Sequence, residues 1–273
     1  MLSIYCGRSP LRTCVSPAFN EGPHRFAECK VDFPKVSVVM PTLNEAKNLP
    51  IVFAKMPAWI HEIVVVDGRS TDDTREIARS LHHAVRIVEE SQKGKGAALR
   101  AGFQAATGDI VVSIDADGSM NPQEIILFVA ALMSGAGFAK GSRFLQGGGT
   151  EDMSIFRMLG NWGLTHIVRV LFGSGFSDLC YGYNAFWKRH LPLFNVACDG
   201  FEIETALNLS ALRSGIKIIE VPSFETNRVH GQSNLNAVTD GCRVLWTICK
   251  EIFRRQTYDA IDNVDGSHSQ IAR

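Results

Sequence analysis

The sequence lacks long apolar runs and the cysteine patterns of a disulfide framework or a zinc site. No stretch approaches the ~20 continuous apolar residues of a membrane-spanning helix. The seven cysteines are an odd number and include no C-x-x-C pair, which fits thiols in a reducing compartment. Residues 1–34 have no apolar core of signal-peptide length. We therefore expect a cytoplasmic protein whose contact with a membrane is at most peripheral.

An excess of charge is also absent. Lys and Arg total 28, and Asp and Glu total 28, so the formal net charge is zero. A general nucleic-acid-binding protein would carry an excess of basic residues, so we expect no nucleic-acid partner. The 273 residues, 45% of them hydrophobic, are enough for one substantial domain with a full core. These numbers do not indicate an oligomeric state.

Two common nucleotide-binding motifs are missing. No G-x-G-x-x-G follows the first apolar run, and G-x-x-x-x-G-K-[ST] occurs nowhere. The usual grounds for a dinucleotide enzyme or a P-loop NTPase are therefore absent. The eight histidines show no metal-ligand spacing.

Continuous apolar runs alternate with helical patterns through the first half of the chain. Such runs are typical of strands buried on both faces of a parallel sheet. They cover residues 36–41, 62–67, 84–88, 109–115 and 138–142. The alternation predicts an α/β fold with a doubly wound, mostly parallel sheet and helices on both faces. Later elements are predicted as helices over 154–172, 200–215 and 236–254 and a strand over 216–225.

Polar residues collect where the predicted strands end. In open α/β sheets, ligands bind outside the carboxyl ends of the strands, so these residues predict a ligand site. They are Pro41, Thr42, Asn44 and Glu45 after the first run, Asp67 after the second, and Asp115 and Asp117 after the fourth. For Asp67, a ligand contact and a helix cap are equally good interpretations.

Asp115 and Asp117 allow three interpretations. The D-G-S that follows is good turn sequence. D-x-D-G-[ST] is also similar to the haloacid dehalogenase nucleophile motif, but that motif belongs on a first strand and needs a later acidic pair. The third interpretation is a divalent metal that bridges a nucleotide diphosphate, because carboxylate oxygens suit Mg²⁺ or Mn²⁺. The place of the pair on the sheet favours the metal.

An ordered set of sequence blocks resembles the family 2 glycosyltransferases, which have the GT-A fold. The blocks are VSVVMPTLNEAKNL, EIVVVDGRSTDDT, KGKGAALRAG, TGDIVVSIDADGSMNP, GSRF, SDLCYGYNAFWK and GFEIETALNLSALRSGIKIIEVPSFETNRVHGQSN. They are most similar to the polyprenyl-phosphate (dolichol-phosphate) mannosyl- and glucosyltransferases, over about residues 35–250. The resemblance implies metal-dependent, inverting transfer of a hexose from a UDP- or GDP-sugar to polyprenyl phosphate at a membrane surface.

The resemblance also implies roles for individual residues. Mg²⁺ or Mn²⁺ would be held by Asp115 and Asp117. The donor would be bound by Pro41, Thr42, Asn44, Glu45, Asp67, Lys95, Asp115 and Ala116. The catalytic residues would be Asp117, Arg143, Arg228, Asp178 and Glu202.

The arginines and acids among these residues have distinct implied tasks. Arg143 and Arg228 would pair with phosphate oxygens through their planar guanidinium groups. With a hydroxyl acceptor, Asp178, Glu202 or Glu204 would act as general base. A lipid phosphate needs no base because its second ionisation lies near pH ~6, and the acids would then position the acceptor or Arg228.

Three other functions stay open. Within the same family, the acceptor could be a soluble hydroxyl compound. The remote alternatives are a haloacid-dehalogenase-like phosphatase and a nucleotide-sugar-binding module without catalysis. Three positions also depart from the family pattern: Gly68 replaces a second Asp, Ser119 replaces the Gln common in mannosyl synthases, and Asn234 replaces a Lys in the R-x-x-G-x-S loop. Ser119 weakens the argument for mannose, and Asn234 weakens the argument for acceptor-phosphate recognition.

The predicted organisation is one GT-A domain between two tails. Helices 154–172 and 236–254 have apolar faces with basic flanks that suit a membrane interface, although packing against the sheet would also explain each helix. The predicted segments are a loose tail over 1–34, the domain over 35–255 with a nucleotide-binding half (35–145) and an acceptor half (146–255), and a polar tail over 256–273.

Overall fold

The predicted alternation of strands and helices forms a central sheet of seven strands. In this computed structural model, the described residues are 33–194, 197–232 and 235–268, with side chains as far as residue 252. The strands, numbered in chain order, are β1 (Val36–Thr42), β2 (Glu62–Asp67), β3 (Val85–Glu89), β4 (Ile110–Ser113), β5 (Phe138–Ser142), β6 (Gly149–Thr150), β7 (Asn184–Trp187), β8 (Ile218–Pro222) and β9 (Phe224–Glu225).

The strand order in the large sheet is β3-β2-β1-β4-β7-β5-β8, and β6 pairs with β9 in a small second sheet. All neighbours in the large sheet are parallel except β7, which runs antiparallel to β4 and β5. The doubly wound, mostly parallel sheet is therefore confirmed. The sequence pattern does not predict β7, because a four-residue strand is too short to show a period.

Seven helices connect and cover the strands in the described part of the chain. They are α1 (Leu49–Ala54), α2 (Thr74–Leu81), α3 (Lys95–Ala105), α4 (Ile125–Met133), α5 (Ile155–Phe172), α6 (Ile203–Arg213) and α7 (Ala237–His268). Helix α7 continues past the predicted end at residue 254, since residues 255–268 contain no proline to stop it. None of the helices in the described ranges has the length and apolar character needed to cross a membrane.

Alternate side chains of the central strands fill a hydrophobic core on each face of the sheet. Val38 and Met40 of β1 pack with α1 and α4, whereas Val39 packs on the other face with α3 and α6. Burying one such side chain contributes about 1.5–3 kcal/mol. A third cluster joins α5, α6 and α7 through Val168, Leu209 and Ile248. Continuous apolar strands thus need helices on both faces.

Helix α3 approaches the sheet closely because it has a glycine at the contact. A Cβ atom at Gly102 would lie 2.3 Å from Cγ1 of Val39 and 2.8 Å from Cγ2 of Val66. This close packing places Lys95, the first residue of α3, at the edge of the sheet where the parallel strands end.

The predicted division of the chain stays a prediction. Most of the tail over 1–34 lies outside the described residues, as do residues 269–273 and Asn234. The boundary at residue 145, between the two predicted halves of the domain, falls in the connection between β5 and β6.

Candidate functional site

A cavity of about 720 Å³ opens at the carboxyl ends of β1, β2 and β4. Eight of the predicted site residues line it, although they come from four separate segments of the chain. They are Pro41, Thr42, Glu45, Lys95, Asp115, Ala116, Asp117 and Arg228. The lining also includes Leu43, Arg69 and Phe201, which sequence reasoning did not select.

Asp117 is held in place by its own turn and by an arginine from a distant loop. The Asp117 Oδ1 atom accepts hydrogen bonds from the backbone N–H of Ser119 at 2.9 Å and from its hydroxyl at 2.7 Å. Nη2 of Arg228 lies 2.7 Å from the other oxygen, Oδ2. Nη1 of Arg228 lies 3.4 Å from Oε1 of Glu45, so this arginine joins the ends of β1 and β4.

Lys95 joins the donor-side carboxylate Asp115 to helix α6. Its Nζ atom lies 2.7 Å from Oδ1 of Asp115 and 2.6 Å from Oε1 of Glu204. Burial alone would lower the pKa of Lys95, but the two carboxylates outweigh it and raise the pKa above its usual value. Lys95 therefore remains a cation inside the cavity across the physiological pH range.

The acidic end of the cavity fits a divalent cation that a ligand helps to bind. The Asp115 and Asp117 side chains are 26% and 11% exposed, so both reach the cavity. Within the described residues, no group of three or more His, Cys, Asp or Glu side chains could hold a metal without help. Mg²⁺ is commonly held by one or two carboxylates together with substrate phosphates. These two carboxylates match that donor set.

Asn44 and Asp67 support the cavity without lining it. The Asn44 Oδ1 atom accepts a hydrogen bond from the backbone N–H of Thr71 at 2.8 Å. Asp67 is almost fully buried, and its carboxylate accepts from the backbone N–H of Ser70 at 3.1 Å. Asp67 therefore stabilises the turn after β2 and does not cap α2, whose N-cap residue is Asp73.

Arg143 and Asp178 lie together outside the cavity at the strand ends. Nε and Nη2 of Arg143 donate to the two oxygens of Asp178 at 2.7 and 3.0 Å, and Nη1 donates to Oε2 of Glu225 at 3.0 Å. Burial would raise the pKa of Asp178, but Arg143 outweighs it and lowers the pKa. Asp178 is fully buried, so in this arrangement it anchors Arg143 and does not face a cavity. Arg143 can bind a phosphate only through the small part of its guanidinium group that Asp178 and Glu225 do not cover.

A second cavity of about 140 Å³ lies beside Arg143. Arg157 and Asn161 of α5 line it, with apolar side chains that include Met153 and Phe156. Phe201 lines both this cavity and the cavity at the strand ends, so the two meet at that ring. Arg157 was not predicted, because on the sequence it appears only as one basic residue of an amphipathic helix.

Glu202 lines neither of these two cavities. It faces a third cavity of about 910 Å³ between the 197–202 segment and α7. Its Oε1 atom accepts from the backbone N–H of Gly200 at 3.3 Å. The structure therefore brings Glu204, rather than Glu202, next to the predicted donor site.

Residues 37–190 match the protein-family model described as glycosyl transferase family 2. Over 214 residues the chain is 32% identical to a dolichol-phosphate mannosyltransferase of Pyrococcus furiosus. This match covers 75% of this chain and 60% of the relative. Over 213 residues it is 31% identical to the polyprenol monophosphomannose synthase of Mycolicibacterium smegmatis. This match covers 73% of this chain and 80% of the relative. The chain thus spans less than two thirds of the first relative's length.

A solved structure shares the architecture. It is the glucosyl-3-phosphoglycerate synthase of Mycobacterium tuberculosis, crystallised with Mn²⁺, uridine diphosphate and glucosyl-3-phosphoglycerate. The TM-score is 0.65 with 25% sequence identity, and the match covers 80% of each chain. The similarity therefore extends across most of the sheet and its helices.

Proposed function

The chain belongs to glycosyl transferase family 2 and is a glycosyltransferase with the GT-A fold, and on this premise we propose that it transfers a hexose from a nucleoside-diphosphate sugar to polyprenyl phosphate. One observation carries the proposal. A cavity at the strand ends, whose carboxylates pair with Lys95 and Arg228, meets at Phe201 a smaller cavity that is lined by Arg143, Arg157, two carboxylates (Glu204 and Asp240) and an apolar wall. The first suits a donor diphosphate, and the second suits a phosphate attached to a lipid.

We call the cavity at the strand ends the donor cavity, and the smaller one beside Arg143 the acceptor cavity. In the donor cavity, Asp115 and Asp117 would hold Mg²⁺ or Mn²⁺. The bound cation would neutralise charge on the diphosphate as it leaves. Lys95 and Arg228 already lie against these carboxylates, so both can contact diphosphate oxygens once a ligand is present. The similar synthase crystallised with Mn²⁺ and uridine diphosphate supports this arrangement.

In the acceptor cavity, positive charge would come from Arg157, whose Nη1 atom lies 3.5 Å from Oδ2 of Asp152, and from the part of Arg143 that Asp178 and Glu225 leave accessible. The side chains of Met153, Phe156 and Leu164 provide the apolar surface that an isoprenoid chain needs next to its phosphate. A lipid phosphate is already an anion at neutral pH, so its oxygen can attack the anomeric carbon without a general base. Attack from the side opposite the leaving diphosphate would invert the anomeric configuration.

The exposed face of α5 is the surface we propose for contact with a membrane. Ile155, Phe156, Leu159 and Trp162 are each more than 60% exposed, although all four are large and apolar. Phe156 also lines the acceptor cavity, so this face continues into it. A lipid acceptor could then pass from the bilayer to Arg157 without leaving an apolar surface.

A soluble phosphorylated acceptor is the second candidate. It is favoured by the structural similarity to a synthase crystallised with glucosyl-3-phosphoglycerate, whose acceptor moiety has no lipid chain. Such an acceptor would use the charge of Arg143 and Arg157 and leave the apolar wall without a partner.

The deciding experiment measures nucleotide release from a panel of UDP- and GDP-sugars with Mn²⁺. Each sugar is tested alone, with a short-chain polyprenyl phosphate, and with 3-phosphoglycerate. We expect release to rise only with the lipid and a glycolipid to form. A rise only with 3-phosphoglycerate would replace the lipid with a soluble acceptor, and no transfer to either would refute the proposal.

One variant tests the contribution of the acceptor cavity to transfer independently of the donor cavity. Arg157→Gln should lower kcat/KM for the lipid phosphate by about 100-fold, because a charged hydrogen-bond partner of the phosphate is lost. Its matched control is Arg169→Gln, an exposed arginine near the other end of the same helix. Equal activity of the two variants would show that Arg157 does not bind the acceptor.

A further inference from the structure

Arg69 has a backbone conformation that side chains other than glycine rarely adopt. Its φ angle is +69°, in the left-handed region. The side chain is exposed and lines the cavity at the strand ends. No carboxylate forms an ion pair with it in the part of the chain that the structure describes. Strain of this kind at a cavity wall points to a task for the side chain.

The turn that carries Arg69 is fixed on both sides. The backbone N–H of Gly68 donates to the carbonyl oxygen of Thr42 at 2.9 Å. The hydroxyl of Ser70 accepts from the backbone N–H of Asn44 at 2.9 Å. Asn44 is itself left-handed, with φ +58°. The turns after β1 and β2 therefore lock each other, and Arg69 extends from a rigid base.

Arg69 and the two carboxylates proposed to hold the metal, Asp115 and Asp117, line the cavity at the ends of different strands. Arg69 follows β2, Asp115 and Asp117 follow β4, and β1 lies between these strands. Two strand spacings separate the ends by about 10 Å. If the diphosphate binds at Asp115 and Asp117, the nucleoside extends toward Arg69 and Leu43.

We propose that Arg69 recognises the donor by packing its guanidinium plane against the nucleobase. This inference rests on the proposed function, because it requires a nucleoside-diphosphate donor. A planar guanidinium stacks on aromatic rings, and here it has no competing acidic partner among the described residues. Glycine would suit this backbone conformation better, so the arginine side chain offsets the strain only through what it contacts.

Three variants distinguish the contribution of the Arg69 side chain from that of the backbone strain at this position. Arg69→Gly removes both the guanidinium and the strain, Arg69→Ala removes only the guanidinium, and Arg69→Lys keeps a charge without a plane. Arg79→Ala removes an exposed arginine of α2 outside the cavity and is the control. Affinities for UDP, GDP and inorganic pyrophosphate are measured by calorimetry with Mn²⁺.

We expect nucleotide affinity to fall about tenfold in Arg69→Gly and Arg69→Ala, as for the loss of a base-stacking contact. Arg69→Lys should lie between these variants and the native protein, and Arg79→Ala should equal the native protein. Pyrophosphate affinity should not change in any of them. The melting temperature of Arg69→Gly should be at or above that of the native protein, so that lost affinity cannot be attributed to unfolding.

Several outcomes would overturn this assignment. Unchanged nucleotide affinity in Arg69→Ala and Arg69→Gly would remove Arg69 from donor recognition and leave the proposed function intact. An equal loss of pyrophosphate affinity would assign Arg69 to the phosphates instead of the base. A native protein that binds pyrophosphate but neither nucleotide would refute the proposed function together with this inference.

Discussion

At the scale of single residues, the site is a set of balanced charges. Lys95 is shared by Asp115 and Glu204, and Arg228 is shared by Asp117 and Glu45. Each carboxylate at the cavity therefore has a cation within reach. Because these groups are partly removed from water, loss of one partner leaves the other charge poorly compensated. The Arg228 and Asp117 side chains remain 20% and 11% exposed, so water compensates part of that charge, and a change at one of them should alter function more than it alters the fold.

Asp117→Asn tests this balance. The amide keeps an oxygen that can accept from Ser119 but loses the charge that a divalent cation and Arg228 require. We expect metal-dependent turnover to fall by at least about 100-fold, with a melting temperature within a few degrees of the native value. Asp73→Asn, at an exposed position before α2, is the control and should keep full turnover. Full activity of Asp117→Asn would refute the metal assignment.

At the scale of elements, the strands are joined at the end opposite the site. Glu62, the first residue of β2, accepts hydrogen bonds from Ser37 of β1 at 2.6 Å, from the Thr107 hydroxyl at 2.8 Å and from Arg86 of β3 at 3.0 Å. Burial would raise the pKa of Glu62, but these bonds outweigh it and lower the pKa to about 2. One carboxylate thus holds together three strands and the turn before β4.

Glu62→Gln should lower the free energy of unfolding at pH 7 by about 2 kcal/mol, after allowing for solvent around Arg86. The native pKa is depressed, so this stabilisation is present above the unfolded-state pKa and is lost as pH falls toward 2. Urea unfolding of both proteins at pH 7 and pH 3 measures the effect, and the difference should shrink at the lower pH. Glu89→Gln, an exposed carboxylate of β3, serves as control. An unchanged difference at the two pH values would disprove the pKa argument.

At the scale of the described domain, the donor cavity, the acceptor cavity and the apolar face of α5 form a continuous sequence of surfaces. Phe201 connects the two cavities, and Phe156 connects the second cavity to the exposed face. A water-soluble donor and a lipid acceptor could therefore reach the same point from different phases. Our proposal of peripheral contact with a membrane rests on this order of surfaces.

Replacing Ile155 and Leu159 by Ser tests that contact. We expect the double variant to lose most of its binding to anionic vesicles in flotation assays, because two exposed apolar side chains no longer enter the interface. Turnover of a short, water-soluble polyprenyl phosphate should persist, since neither residue lines a cavity. Leu127→Ser, at an exposed position on α4, should bind vesicles like the native protein. Native-like flotation of the double variant would rule out docking through this face.

Local sequence patterns were enough to locate the sheet, its strand ends and the two aspartates after β4. Period and strand termination depend on neighbouring residues, so they can be read from short stretches of the chain. The same patterns placed Pro41, Thr42 and Glu45 at the predicted ligand site without any knowledge of side-chain contacts, and the family resemblance added Ala116.

The partners of the charged residues depended on the tertiary structure. Lys95 and Glu204 are 109 positions apart, and Arg143 and Glu225 are 82 apart, so no local pattern links them. Packing of α6 against the central sheet and pairing of β9 with β6 bring these groups within hydrogen-bonding distance. The same packing buried Asp178 beneath Arg143, turned Glu202 away from the donor site and brought Arg157 to the acceptor cavity. Charged side chains pair through space, and only the folded chain sets which of them meet.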